Sequence, residues 1–466
     1  MKRFLSIMIV IVTVISFASC DTGNKGNESE GSAMAETIIN KVESTTDETK
    51  EALQPGSETD TEAFEESINE SSSETADAIE SGSESVVETE PEASRETEDT
   101  AKGTDEEFAE ETTEETVDNG TITPANGEIV ILANDDVYGW WDGYHPNKTG
   151  YTDPFYLHED IYFPIPVKFS WAADEKADYY RLFISTDKDF FADKTESYLV
   201  NENSLELDHL FTGTKYYWQV FATEIVDGEE INTLSVSPVS FTTAESPRCL
   251  RIEGVSNTRD IGGIRTSNGY RIKQGMIYRG GKLEKMTPEG KAYFRDYIGL
   301  TTDLDLRTPG EGGAGDSSPL GSDINYVNID GRYYTGSKGI NTAEGKAIFA
   351  EEIRLFANPD NYPIYIHCSL GRDRTGTLVF VIEALLGVSK NNLFMDYELS
   401  VFSVTGTQDN ASVSAIKNNI TNTYNYISEN YEGSTFAEKT ENYLLDIGIT
   451  PEEIQTIRDL LLEEIE

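Results

Sequence analysis

Apolar and polar positions change their period along the chain, and the change divides it. From residue 248 onward, short apolar runs alternate with longer segments of helical period. MIYRGGKL, GLTTDLDLR, INYVNID and YPIYIHC read as strands. KMTPEGKAYFRDY, GKAIFAEEIRLFA, RTGTLVFVIEALLG and SVSAIKNNITNTYNYISENY read as helices, and ENYLLDIGITPEEIQTIRDLLLEEI reads as two more. Thr450 before Pro451, with Glu452 and Glu453 in the first turn, marks a helix start. Strands alternating with helices predict an α/β domain over 248–466, with a mainly parallel sheet covered on both faces.

The pattern before it has period two. FPIPVKFSW, YYRLFIST, SLELDHL, TKYYWQVFATE and VSPVSFTTA are short alternating runs separated by Asp, Asn and Gly. Such runs, spaced about 8–12 residues apart, predict an all-β sandwich with Trp171 in the core of an early strand. The run Leu210-Phe211-Thr212-Gly213-Thr214-Lys215-Tyr216 resembles the fibronectin type III corner, in which a tyrosine hydroxyl ties a loop to the next strand. Residues 127–245 are therefore read as a fibronectin type III-like sandwich with an N-terminal extension. In that extension Trp140, Trp141 and Tyr144 serve either as packing or as a carbohydrate platform.

Residues 21–126 show neither period. Between 21 and 120 there are 32 acidic residues against 5 basic ones, so the chain's net charge of −49 is largely a property of this segment. Rich in Ser, Thr and Glu and poor in apolar clusters, it cannot bury enough surface to offset chain entropy and is expected to be a disordered spacer. The acidic balance argues against a nucleic-acid partner, which would need a basic footprint. The chain as a whole is expected to be multidomain.

Residues 1–20 read MKRFLSIMIVIVTVISFASC: a short basic start, an apolar stretch, then small residues. This is a secretory signal, short for a transmembrane span. Small residues just before a cysteine resemble the bacterial lipoprotein signal. The resemblance implies cleavage before Cys20, a lipid on Cys20, and an exported, membrane-anchored protein. The remaining cysteines are Cys249 and Cys368. An exported chain with so few is no disulfide scaffold, which leaves Cys368 available as a thiol.

Cys368 sits in His367-Cys368-Ser369-Leu370-Gly371-Arg372-Asp373-Arg374-Thr375-Gly376, between a predicted strand and a predicted helix. Cys-x5-Arg occurs once in the sequence. A loop in this position can turn its N–H groups inward as an anion nest, and the helix adds its positive end. Both favour thiolate over thiol. Arg374 can grip two phosphate oxygens with its planar fork. Gly371 permits the tight turn, Thr375 can donate to the sulfur, and His367 can fix the strand end. The chemistry this allows is attack on a phosphate monoester through a phosphocysteine, with no metal or other cofactor.

The segment 250–466 resembles the bacterial protein-tyrosine phosphatase family whose signature is His-Cys-x-x-Gly-Lys-Asp-Arg-Thr-Gly. Asn257-Thr258-Arg259-Asp260-Ile261-Gly262-Gly263, Tyr278-Arg279-Gly280 and Asp305-Leu306-Arg307-Thr308-Pro309-Gly310-Glu311 resemble its other motifs. Arg372 departs from the usual lysine. The resemblance implies hydrolysis of phosphotyrosine, with phosphoserine, phosphothreonine or phosphoinositides as further substrates. It implies substrate contacts from His367, Ser369, Leu370, Gly371, Arg372 and Thr375. Two aspartates compete as general acid: Asp373 inside the loop and Asp330 after a strand. Arg259, Asp260 and Asp305 are expected to brace the loop by ion pairs. One alternative function is an inositol-polyphosphate phosphatase, for which Arg279, Lys282 and Arg332 are candidate mouth cations. The other is a non-catalytic surface binding protein.

Overall fold

The computed structural model describes residues 122–142, 163–331, 339–403 and 413–465. The signal sequence with Cys20, the acidic spacer up to residue 121, Tyr144 and Arg332 lie outside the described residues.

The β part begins with β1 (Glu128–Val130) and α1 (Asp135–Asp142) and continues through six further strands. These are β2 (Val167–Ser170), β3 (Tyr179–Ser185), β4 (Thr195–Val200), β5 (Ser204–Leu207), β6 (Lys215–Val226) and β7 (Glu229–Thr243). They make a five-stranded sheet in the order β1-β7-β6-β3-β4 and a β2-β5 pair. Period-two alternation does what it predicts on β3: Tyr180, Leu182 and Ile184 are buried while Arg181 and Phe183 stay half-buried. These buried residues join Phe169, Trp171, Trp218, Val220 and Phe241 in one cluster. Trp171 is in the core as expected, edge-on to Tyr180 at 5.4 Å. Asp227 and Gly228, both with positive φ (53° and 86°), form the two-residue turn between β6 and β7 that an Asp-Gly pair favours. The Phe211 N–H donates to the Tyr216 hydroxyl at 2.8 Å, the tie the corner motif anticipated. Residues 122–126, assigned to the spacer by composition, are part of this structure. Thr123 exchanges backbone hydrogen bonds with Ser170, and the Trp218 indole N–H donates to the Pro124 carbonyl at 3.3 Å.

The α/β part has its own sheet, built from β8 (Arg248–Cys249), β9 (Arg259–Asp260), β11 (Ile277–Gly280), β12 (Thr302–Asp305), β13 (Asn325–Asn328) and β14 (Ile364–His367). The order is β13-β12-β14-β11-β9-β8. The four strands from β13 to β11 are parallel, whereas β9 and β8 are antiparallel. The sheet is therefore mixed, which corrects the expectation of a mainly parallel one at that edge. A separate pair joins β10 (Tyr270–Ile272) to the C-terminal β15 (Leu462–Glu464). The helices are α2 (Pro288–Ala292), α3 (Ala343–Leu355), α4 (Asp373–Leu385), α5 (Lys390–Glu398), α6 (Val413–Asn430), α7 (Phe436–Asp446) and α8 (Pro451–Leu461). Thr450 and Glu453 form a complete capping box at the start of α8.

Successive strand residues point to opposite faces. Ile277, Ile364 and Ile366 enter the larger apolar cluster, with α3, α4, α5 and α8, and Tyr278 and Tyr365 enter a second one with Phe294. Covering both faces this way contributes about 1.5–3 kcal/mol for each large apolar side chain fully buried. α4 lies deepest, buried at every position from Thr375 to Leu385. Trp140 of α1 belongs to the larger cluster and meets Phe402 edge-on at 5.1 Å, so it packs and forms no platform.

The buried Arg248 ties the β and α/β parts together. The Arg248 guanidinium donates to Asp260 at 2.7 Å, to the Leu210 and His209 carbonyls at 3.3 and 2.7 Å, and lies over the Phe211 ring. Asp260 also accepts from the Gly262 and Gly275 N–H groups. Expected to brace the cysteine loop, Asp260 instead fastens this junction.

Candidate active site

β14 ends at His367 and α4 begins at Asp373, so Cys368 to Arg372 make the turn between them. Gly371 has φ +66°, a conformation that favours glycine, and a Cβ there would stand 2.1 Å from the Gly280 carbonyl oxygen. The loop's carbonyls are tied outward in sequence. Ser369 O accepts from the Lys282 N–H at 3.4 Å, Leu370 O from Asn257 Nδ2 at 3.0 Å, and Gly371 O from Arg279 Nη2 at 2.9 Å. With its carbonyls so engaged, the loop is free to turn N–H groups toward the sulfur.

The braces are themselves held. Asp396 of α5 pairs with Arg259 at 2.8 Å and with Arg279, and all three side chains are buried. Arg259 Nη1 also donates to Asn257 Oδ1, which fixes the amide so that Nδ2 faces Leu370. Burial alone would raise the Asp396 carboxyl, but the two guanidiniums hold it below its ordinary value. Arg259 therefore braces the loop as expected. Asp396 does so too, and sequence reasoning missed it. Helix α5 carries no apolar stripe of helical period because Leu393 to Glu398 are all buried, so the usual signal is absent. Ser389, accepting from the Asn392 N–H at its start, was the available clue.

Cys368 is buried, which by itself would push its thiol up. The charge of Arg374, the Thr375 hydroxyl and the N–H groups of Thr375 and Leu370 outweigh burial and hold it below the usual thiol value. His367 faces away from this chemistry: Nε2 lies 2.9 Å from Asp303 and Nδ1 3.8 Å from Asp305, in the sheet interior. Burial disfavours its charge, but Asp303 more than compensates and keeps the imidazole above its ordinary value. Its role is to anchor the end of β14. Asp305, expected to brace the cysteine loop, instead binds Arg307 through both oxygens and accepts from the Tyr326 hydroxyl, so it braces the neighbouring strand end.

Arg374 Nη1 donates to the Leu306 carbonyl at 3.2 Å, and both terminal nitrogens grip Glu311. Glu311 also accepts from the Ser369 hydroxyl at 2.8 Å and from the Thr308 N–H at 3.2 Å. Chiefly through its bond to Arg374, its carboxyl is pulled down to about 2. Sequence reading quoted Glu311 as part of a motif and gave it no task. The structure makes it the partner that orients the Arg374 fork.

Of the two acids, Asp373 pairs with Arg372 at 3.0 Å and accepts from the Tyr397 hydroxyl at 3.2 Å. Asp330 accepts from the Thr308 hydroxyl at 2.9 Å, and the next residue, Gly331, donates its N–H to Leu306 O. Leu306 O is also the acceptor for Arg374, so both aspartates reach the neighbourhood of the loop. Arg372 is buried against Asp373. Of the mouth cations, Arg279 is fully buried and structural, while the half-buried Lys282 donates to Gly312 O.

Residues 250–463 match the family model described as the tyrosine phosphatase family. A Cupriavidus necator protein whose name places it among tyrosine-protein phosphatases is 25% identical over 173 residues, 32% of this chain and 61% of that protein. A Dictyostelium discoideum protein named for the same activity is 40% identical over 50 residues, 11% of this chain and 30% of that protein. The chain thus spans less than two thirds of the length of either relative. Among solved structures, the core catalytic domain of the PP-IP phosphatase SIW14 from S. cerevisiae is 23% identical and covers 28% of this chain and 76% of that one, at a TM-score of 0.20. With the loop geometry and the family match together, residues 250–463 form a tyrosine phosphatase family domain.

Proposed function

We propose that the chain is a cysteine-dependent phosphatase that hydrolyses phosphotyrosine through a phosphocysteine. The observation that carries this reading is the Cys368 thiol, held below its ordinary value by the Arg374 charge, the Thr375 hydroxyl and the N–H groups of the loop. Cys368 attacks phosphorus, and the tyrosyl oxygen leaves with a proton. Water then hydrolyses the phosphocysteine. Among the described residues, the mouth carries Glu284, paired with Arg307, Glu311, bonded to the Ser369 hydroxyl, and the half-buried Lys282, which donates to Gly312 O. Such a rim suits a substrate with a single phosphate better than a polyanion. A panel of phosphotyrosine peptide, phosphoinositides and phytate tests this. The expected result is highest kcat/KM on the peptide; preference for phytate would turn the reading to an inositol-polyphosphate phosphatase.

Asp373 is proposed as the general acid, since its position next to Arg374 fixes it with the phosphate-binding loop. Phenyl-type esters expel a basic oxygen that needs a proton, whereas an activated coumarin ester needs little help. Asp373→Asn is expected to lose on the order of 10²-fold on the former and much less on the latter. Asp330→Asn is expected to change both alike. A selective loss in Asp330→Asn, with equal losses in Asp373→Asn, reverses the assignment.

The 127–245 segment is proposed as a fibronectin type III-like module, on the strength of its two sheets and the Tyr216 tie. Export and membrane anchoring through a lipid on Cys20 are proposed from the N-terminal sequence. Palmitate labelling of the full chain should disappear in Cys20→Ala, and labelling that persists would rule the anchor out.

A further inference from the structure

We infer that Trp140 of α1 is a positioning residue for the Cys368 loop, so that a segment outside the matched residues 250–463 completes the phosphatase site. The inference rests on the phosphatase reading only in taking that loop as the reactive one.

α1 lies in sequence between β1 and β2, two strands of the sandwich. Its buried side chains nevertheless join the other core. Leu132 enters the sandwich cluster, but Ala133, Val137 and Trp140 are buried in the larger cluster of the α/β part. Val137 and Trp140, three residues apart, share one face of the helix. Tyr138 and Trp141 are half-buried against the same cluster. A helix that composition and position assign to the sandwich is thus built into the phosphatase core.

Its contact there leads to the cysteine loop. Trp140 meets Phe402 edge-on, and Phe402 ends a short, fully buried turn, Leu399–Phe402, that follows α5. In that turn the Ser400 hydroxyl accepts from Asn257 Nδ2 at 3.2 Å and from Arg259 Nη2 at 3.4 Å. Asn257 Nδ2 is the group that also donates to Leu370 O. Asn257 stands at φ +59°, a left-handed conformation that its surroundings must hold. Leu370 supplies one of the N–H groups that keep the Cys368 thiol low. The path therefore runs from Trp140 through Phe402, Ser400, Asn257 and Leu370 to Cys368. Close-packed interiors pass small displacements on, so a gap where the Trp140 ring stood lets the turn shift and the loop shift with it.

Trp140→Leu in the full chain tests this. Two quantities are read: kcat/KM on p-nitrophenyl phosphate, and the pH dependence of iodoacetate alkylation, followed at the Cys368 peptide by mass spectrometry. Trp140→Leu is expected to lower kcat/KM by about tenfold or more. It should also move the alkylation midpoint up toward the ordinary thiol value, because a displaced loop N–H stabilises the thiolate less. Phe402→Leu breaks the same contact from the other side and should reproduce both changes; if either variant fails to fold, the other decides. Trp140→Phe keeps an edge-on ring and is expected to stay within about threefold of the parent. Trp171, buried in the sandwich cluster, is the control: Trp171→Leu should leave both readouts at the parental values whatever it costs in melting temperature. An alkylation midpoint unmoved by Trp140→Leu and Phe402→Leu overturns the proposal. So does an equal shift in Trp171→Leu, which would make the effect a general loss of fold. A parent that turns over no phosphate ester would count against the phosphatase reading instead, and the alkylation midpoints would still decide whether Trp140 positions the loop.

Discussion

Cys368→Ser is expected to lower turnover of p-nitrophenyl phosphate by on the order of 10⁴-fold or more. The reason lies in what the loop can and cannot ionise. Arg374, the Thr375 hydroxyl and two N–H groups bring a thiol below its ordinary value against the cost of burial. A serine hydroxyl begins so much higher that the same groups leave it protonated. The leaving group is activated, so the loss reports on the nucleophile and not on the proton donor. Serine preserves the loop's outward ties, because those run through the carbonyls of Ser369, Leu370 and Gly371. Inorganic phosphate or vanadate should therefore still bind the variant. Sign matters for the wild-type pH profile: the thiolate is the reactive form, so kcat/KM should rise with pH through the thiol's depressed value. A serine variant turning over near the parent rate would remove Cys368 from the chemistry.

How much of this was legible in the sequence depended on whether the signal was local. The cysteine loop was, because strand, turn and helix sit within one stretch and Gly371 marks the turn. The corner tyrosine was too, since Phe211 and Tyr216 are five residues apart. Asp396 was not, because its partners Arg259 and Arg279 are more than a hundred residues away in sequence and its own stretch of helix, Leu393 to Glu398, is buried at every position. The antiparallel edge of β9 and β8 was missed for another reason: at two residues each, these strands are too short to show a period. Asp260 illustrates the converse error. It lies in a motif otherwise devoted to the loop, yet its partner is Arg248 at the junction. A motif shows which residues occur together and leaves open which way each side chain turns.

Arg374→Lys is expected to cost on the order of 10²–10³-fold in kcat/KM, although the charge is kept. The structure shows why charge is not enough. Arg374 uses its planar fork to hold Glu311 through two nitrogens while Nη1 also reaches Leu306 O. A carboxylate and a pair of phosphate oxygens present similar bidentate geometry, so the fork that fits Glu311 is also the fork a phosphoryl group requires. A lysine ammonium is a single point and cannot satisfy both acceptors along parallel bonds. Two losses should follow together. Phosphate should inhibit the variant less strongly, because ground-state binding loses a bond. The rate at saturating substrate should also fall, because the equatorial oxygens gain charge as the transition state forms. The Cys368 thiol should stay depressed, since a positive charge remains nearby and the Thr375 and Leu370 N–H groups are unchanged. Alkylation by iodoacetate across pH can read that out independently of turnover. A variant with parental kcat/KM would show that the fork is not used, and a thiol returned to its ordinary value would show that Arg374 acts on the nucleophile and not on the phosphate.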